Sequence, residues 1–159
     1  MKIGYTALNW TIECSGAKTF RLKSYSHEKL IETTQNNLEC LLKMLKFNVE
    51  NDLLFFKITS RLIPFASHPI MDFDWKKYFK NNFNEISEFI HENGIRISMH
   101  PVQFVVVNSN DTDVFERGLN ELKYHSEVFD ILNLDSTAKM QVHVGGVYSN
   151  KEKSMERFI

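Results

Sequence analysis

Cysteine, proline and glycine are all scarce here, with 2, 3 and 6 residues in a chain of 159. Two cysteines, Cys14 and Cys40, are too few for a disulfide scaffold. Neither has a CxxC partner, and both fit a reducing cytoplasm, with Cys40 as a small buried hydrophobe. So little glycine and proline, with no low-complexity tract, excludes collagen-like and disordered classes. Long apolar runs are missing too: a stretch such as Phe104–Val107 is far too short to span a bilayer. The N-terminus, MKIGYTALNW, has a charge but no apolar core of signal-peptide length, which reads against secretion. Neither sign of charge dominates, since 19 Lys and Arg face 20 Asp and Glu. A net charge of -1 leaves no global nucleic-acid footprint, only room for a local basic site. No P-loop or nucleophile elbow occurs, which counts against NTPases and serine hydrolases.

What the chain does have is apolar content, 43% hydrophobic with 13 Phe, enough for the large core of one domain. Short apolar segments alternate with amphipathic helices. Lys2–Tyr5 reads as a first strand. A helix capped by Ser26 or His27 carries Leu30, Ile31, Leu38, Leu41, Leu42 and Leu45 at helical spacing and stops at Asn51-Asp52. Leu53–Ile58 is a second strand, Trp75–Ile90 a second helix ended by Asn93-Gly94, and Ile95–Met99 a third strand. Asp111 or Asp113 caps a third helix with Val114, Leu119, Leu122, Val128 and Leu132 near one stripe. Met140–Val144 reads as a fourth strand, and Lys151–Ile159 begins another helix.

Four strand-helix units predict parallel strands with right-handed crossovers. A small doubly wound sheet and the first half of an eight-stranded (β/α) barrel both fit. No glycine fingerprint follows the first strand, which leaves the dinucleotide-binding version little support. The last helix stops at apolar Phe158-Ile159 without a C-cap. The expectation is therefore an α/β chain forming the N-terminal half, residues 1–159, of a longer TIM-barrel domain.

In such barrels the chemistry sits just past the C-terminal ends of strands. Those positions hold Tyr5 and Asn9, His68, His100 and, on strand four, His143. Imidazole ligates divalent metals well, and three histidines on successive strands point to a metal site. His27 reads as a capping or exposed residue, and His91 and His125 as surface residues. Lys18, Arg21 and Lys23 form a basic loop on the same rim, as fit for phosphate contacts as for ordinary solvation. Gln103-Phe104 follows His100; an amide and an aromatic could enter a base stack, although spacing alone favours core packing for Phe104. Gly145-Gly146 would allow a close phosphate approach or simply a tight turn.

Four stretches carry a resemblance: Gly4-Tyr5 with Asn9, RLIPFASHP (Arg61–Pro69), SMHPVQF (Ser98–Phe104), and VHVGGVY (Val142–Tyr148) followed by KEKSMERF. Together they resemble the UV damage endonucleases of the UvsE/UVDE type. The resemblance implies a (β/α) barrel of the endonuclease IV and xylose isomerase-like type, with up to three divalent metals. Mn²⁺ is the first expectation, with Zn²⁺ or Mg²⁺ as alternatives. The implied reaction is hydrolysis of the phosphodiester immediately 5′ to a UV photoproduct in duplex DNA. On the same basis His68, His100 and His143 are implied metal ligands, with His100 and His143 at the chemistry. Gln103 and Phe104 match the pair inserted opposite the lesion, and Tyr5 and Asn9 match the lesion pocket. The family usually has tyrosine where this chain has Phe104, so stacking is kept and a hydroxyl is lost. Its carboxylate ligands and modified lysine have no counterpart in these 159 residues. The expectation is a chain that does not cleave by itself and that can self-associate through open sheet edges. The rivals are a metal-dependent sugar isomerase or epimerase of the same superfamily and a non-catalytic lesion-binding remnant.

Overall fold

A computed structural model describes residues 1–159. The elements in order are β1 (Gly4–Thr6), α1 (His27–Glu50), β2 (Phe55–Ile58), α2 (Trp75–Tyr78), α3 (Lys80–Glu92), β3 (Arg96–Met99), α4 (Thr112–Ile131), β4 (Lys139–Met140) and α5 (Lys151–Glu156). The strands form one parallel sheet in the order β1-β2-β3-β4, so each strand pairs with the next in sequence. Sequential parallel order with helical crossovers is the topology of a partial (β/α) barrel, not of a doubly wound sheet, whose order reverses. Both outer edges, at β1 and β4, lack a partner strand.

Alternation along the strands divides the two faces. Phe56, Ile58, Ile97 and Met99 point to the helix side and are fully buried. They meet Leu38, Leu41, Met44 and Leu45 of α1, Phe83, Ile86 and Ile90 of α3, and Val128 and Leu132 of α4 in one core. The opposite face aligns Thr6, Lys57, Ser98 and Lys139 in one row, with Arg96 stacked over the Phe55 ring at 5.6 Å.

Helix boundaries follow local chemistry. The Ser26 side chain accepts from the Lys29 N–H at 3.2 Å, Asp111 from Val114 at 3.1 Å, and Asn51 caps α1 at its end. The segment expected as one helix from Trp75 breaks at Phe79 (φ -95°, ψ 16°), whose ring is fully buried. In α4 the expected stripe is only partly right. Val128 and Leu132 are buried, but Leu119 is 51% exposed, and the inward row instead runs through Gly118, His125, Val128 and Leu132. His125, expected at the surface, lies on that row and is fully buried, whereas His91 is exposed.

Two more expectations are corrected. Cys14 and Cys40 form a disulfide, with Cα atoms 5.6 Å apart, because the loop after β1 folds back along α1. A separation of 26 residues offers no local spacing signal for that pairing, and it removes the thiol argument for a reducing compartment. The fourth strand is only Lys139–Met140, so His143 lies beyond it rather than on it. Past Gln141 the chain finds no outer strand to pair with, and Gly145 turns it away at φ +92°. No helix is long and apolar enough to cross a membrane.

Asn37, fully buried in α1, ties the rim loops down. Its amide accepts from the Lys18 N–H at 2.9 Å and donates toward the carbonyls of Lys18, Arg61 and Leu62 at 2.9, 3.2 and 3.1 Å. Asn37→Ala should cost about 3 kcal/mol in urea unfolding, because buried backbone groups lose their partner. It should also speed amide exchange at Lys18, while a cost near zero would show that these loops hold themselves.

Burial lowers the His125 pKa from its ordinary 6.5, with proximity to His100 acting in the same direction. The unfolded chain therefore binds the proton first as pH falls, so stability declines once pH drops through about 6.5. Thermal unfolding from pH 7.5 to 5.5 should show a falling Tm, and His125→Gln should flatten that slope.

Candidate metal and nucleic-acid site

Loops past the C-terminal ends of the strands carry every residue singled out in the sequence except Tyr5, which lies on β1 itself. β3 ends at Met99, and Pro101 bars further pairing from its own nitrogen. Gln141, one residue past β4, then locks the junction: its N–H donates to the Met99 carbonyl at 3.0 Å, and its carbonyl accepts from His100 Nδ1 at 2.8 Å. With its proton on Nδ1, His100 keeps a lone pair on Nε2. The His143 ring lies beside it, with centroids 4.7 Å apart and planes tilted by 56°.

His68 does not join this pair. Its Nδ1 accepts from the Ile70 N–H at 3.1 Å, which places the neutral ring's proton on Nε2. Neither His68 nitrogen therefore offers a free lone pair. No group of three or more His, Cys, Asp or Glu side chains is placed to hold a metal. His100 and His143 are side-by-side imidazoles, the donor type that divalent cations take, and the Gln141 carbonyl orients the first of them.

The turn after His100 presents Gln103 and Phe104. The Val105 N–H donates to the Val102 carbonyl at 3.0 Å, closing a turn with Gln103 and Phe104 at its tip. Val105 and Asn108 anchor that loop in the interior, while Phe104 is 76% exposed, so it is not the core residue that spacing alone favoured. Phe104 and His68 border one groove with Arg117 and Glu121. Beneath it Glu121 accepts a hydrogen bond from the Ser67 hydroxyl, steadying the residue next to His68.

Tyr5 and Asn9 are turned inward. Tyr5 packs edge-on against Phe56, and its hydroxyl accepts from Asn9 Nδ2 at 2.7 Å. Burial raises the Tyr5 pKa against the opposing pull of Asn9, so the phenol stays protonated. Asn9 Oδ1 in turn accepts from the N–H groups of Thr11 at 2.8 Å and Ile12 at 3.4 Å. Most of the hydrogen-bonding capacity of this pair is thus spent inside the protein.

Lys18, Arg21 and Lys23 are exposed and make no ion pair. Lys18 Nζ donates to Asn36 Oδ1 at 2.9 Å. Gly145 and Gly146 make the tight turn, with the space a side chain would need taken by Asn108 and the Tyr148 ring. Asn108 reinforces this by donating to the carbonyls of Gly146 and Ser154 at 2.9 and 3.2 Å. Sequence reasoning missed Trp10, which is nearly fully exposed beside the buried Asn9. An isolated tryptophan in a polar loop carries no periodic signal, and only the Asn-x-Thr turn hints at its outward direction.

The UV-endonuclease UvdE family matches over residues 1–159. A UV DNA damage endonuclease of Clostridium perfringens is 38% identical over 159 residues, covering all of this chain and 39% of that relative. One from Bacillus thuringiensis is 32% identical, covering 99% of this chain and 52% of the relative. The crystal structure of SacUVDE superposes with a TM-score of 0.96 at 40% identity, over 99% of this chain and 54% of its own. The chain thus spans about half or less of the length of the proteins it matches. With the whole sequence matched and the half-barrel superposing, the chain belongs to the UV-endonuclease UvdE family.

Proposed function

We propose that these residues form part of a DNA repair endonuclease site. The site takes duplex DNA carrying a UV photoproduct and hydrolyses the phosphodiester immediately 5′ to it. The observation that carries the reading is the facing pair His100–His143, with the His100 tautomer set by the Gln141 carbonyl. A divalent cation, Mn²⁺ first and Zn²⁺ or Mg²⁺ otherwise, would supply charge neutralisation and an activated water. His100 offers Nε2 as ligand, His143 a second imidazole, and His68 joins only after its ring turns. Gln103 and Phe104 stand at a loop tip suited to filling the space of displaced nucleotides. Lys18, Arg21 and Lys23 offer unpaired cations to the phosphate backbone. Tyr5 and Asn9 act as the wall of the lesion pocket, held by their own hydrogen bond.

A second reading, lesion binding without cleavage by these 159 residues, is favoured by the lack of a third ligand beside the histidine pair. The sugar isomerase reading has less support, since the relatives are named for DNA damage.

Manganese binding followed by electron paramagnetic resonance tests the ligand assignment. His100→Ala and His143→Ala should each weaken Mn²⁺ binding at least roughly tenfold, with His68→Ala changing it less than about twofold. An equal loss from all three would show that His68 turns into the site.

Nicking of UV-irradiated supercoiled plasmid in Mn²⁺, with EDTA and unirradiated controls, tests the function. The 159-residue chain should retain irradiated DNA preferentially and leave it uncut. Robust lesion-specific nicking would mean that two histidines suffice. Ketose turnover without DNA binding would move the assignment to the isomerase.

A further inference from the structure

Trp10 is 92% exposed while the other tryptophan, Trp75, is 4% exposed in the core. The exposure does not come from a loose loop. Asn9 Oδ1 holds the N–H groups of the two residues after Trp10, the Cys14–Cys40 disulfide ties the loop to α1, and the Lys18 N–H is bound by Asn37. Trp10 therefore places a large ring in water from a backbone held on both sides, at a cost in exposed apolar surface that packing inside the chain does not relieve. It borders a groove of about 480 Å³ together with Lys18, Lys43 and Asn36. Lys43 has no ion-pair partner, and Glu13 is the groove's one carboxylate. A flat aromatic surface beside unpaired cations is the combination that holds an unpaired base and its phosphates.

We infer that Trp10, with Lys18 and Lys43, forms a stacking site for an unpaired nucleobase of single-stranded DNA, in a groove that Asn9 also borders. The inference rests on the DNA reading above and adds a contact to it. Stacking through a π face tolerates any base, so the site holds a displaced or flanking nucleotide rather than reading the lesion.

The test uses an unmodified thymidine octamer with the 159-residue chain, observed in two ways. Anisotropy of a labelled octamer reports binding, and tryptophan emission with unlabelled octamer reports contact with Trp10. Wild type should show saturable quenching that Trp10→Phe abolishes, because Trp75 is buried. Trp10→Ala should weaken binding roughly tenfold. Lys43→Ala should weaken it less and reduce its salt dependence. Binding by anisotropy without quenching, or unchanged in Trp10→Ala, overturns the stacking site and leaves the DNA reading standing. No binding to the octamer or to irradiated duplex overturns both. A concentration-dependent blue shift without DNA, showing that a second copy covers Trp10, also overturns it.

Discussion

The burial of one sheet face against three helices is the constraint on which everything else depends. Phe56, Ile58, Ile97 and Met99 occupy alternate positions on β2 and β3 and are covered by α1, α3 and α4. That packing holds the strand ends in register, and the strand ends carry the histidines. A parallel pair has no tight hairpin to set its register, so the apolar alternation does that work. The other face carries Lys57, Ser98 and Lys139 in one row, with Ser98 buried, Lys57 half-buried and Lys139 exposed.

Above the sheet, buried asparagines take over from apolar packing. Asn37 binds the loops after β1 and β2, Asn9 shapes its own turn, and Asn108 joins the loop after β3 to the segment after β4. An amide donates and accepts at once, so one side chain can hold two strands of irregular chain that have no ladder between them. The rim is thus rigid without being regular. Gln141 does the same through its backbone, serving β3 with its N–H and His100 with its carbonyl.

A rigid frame of this kind leaves certain groups outside it. Phe104 and Trp10 stand in water, and Lys18, Arg21 and Lys23 make no ion pair, while the Tyr5 hydroxyl is bound by Asn9 and the Asn9 carbonyl by its own loop. The division separates residues that shape the surface from residues that meet something on it. It also explains why two of the three rim histidines converge: His100 and His143 follow adjacent paired strands, whereas His68 lies on a long loop whose own turn claims its Nδ1.

Local and periodic features were decided by the sequence itself. These are the strand-helix alternation, the Ser26 and Asp111 caps, the stop at Asn93-Gly94, the rim position of His68 and His100, and the motifs of the family. Each rests on neighbours within about one helical turn or on a period of two or 3.6 residues, which a linear reading can see. The tertiary structure alone decided the Cys14–Cys40 bond, the burial of His125, the inward turn of Asn9, the exposure of Trp10 and the shortness of β4. Each of these depends on a partner many residues away, or on the lack of one. Residue type and spacing do not encode which loop folds back onto which helix.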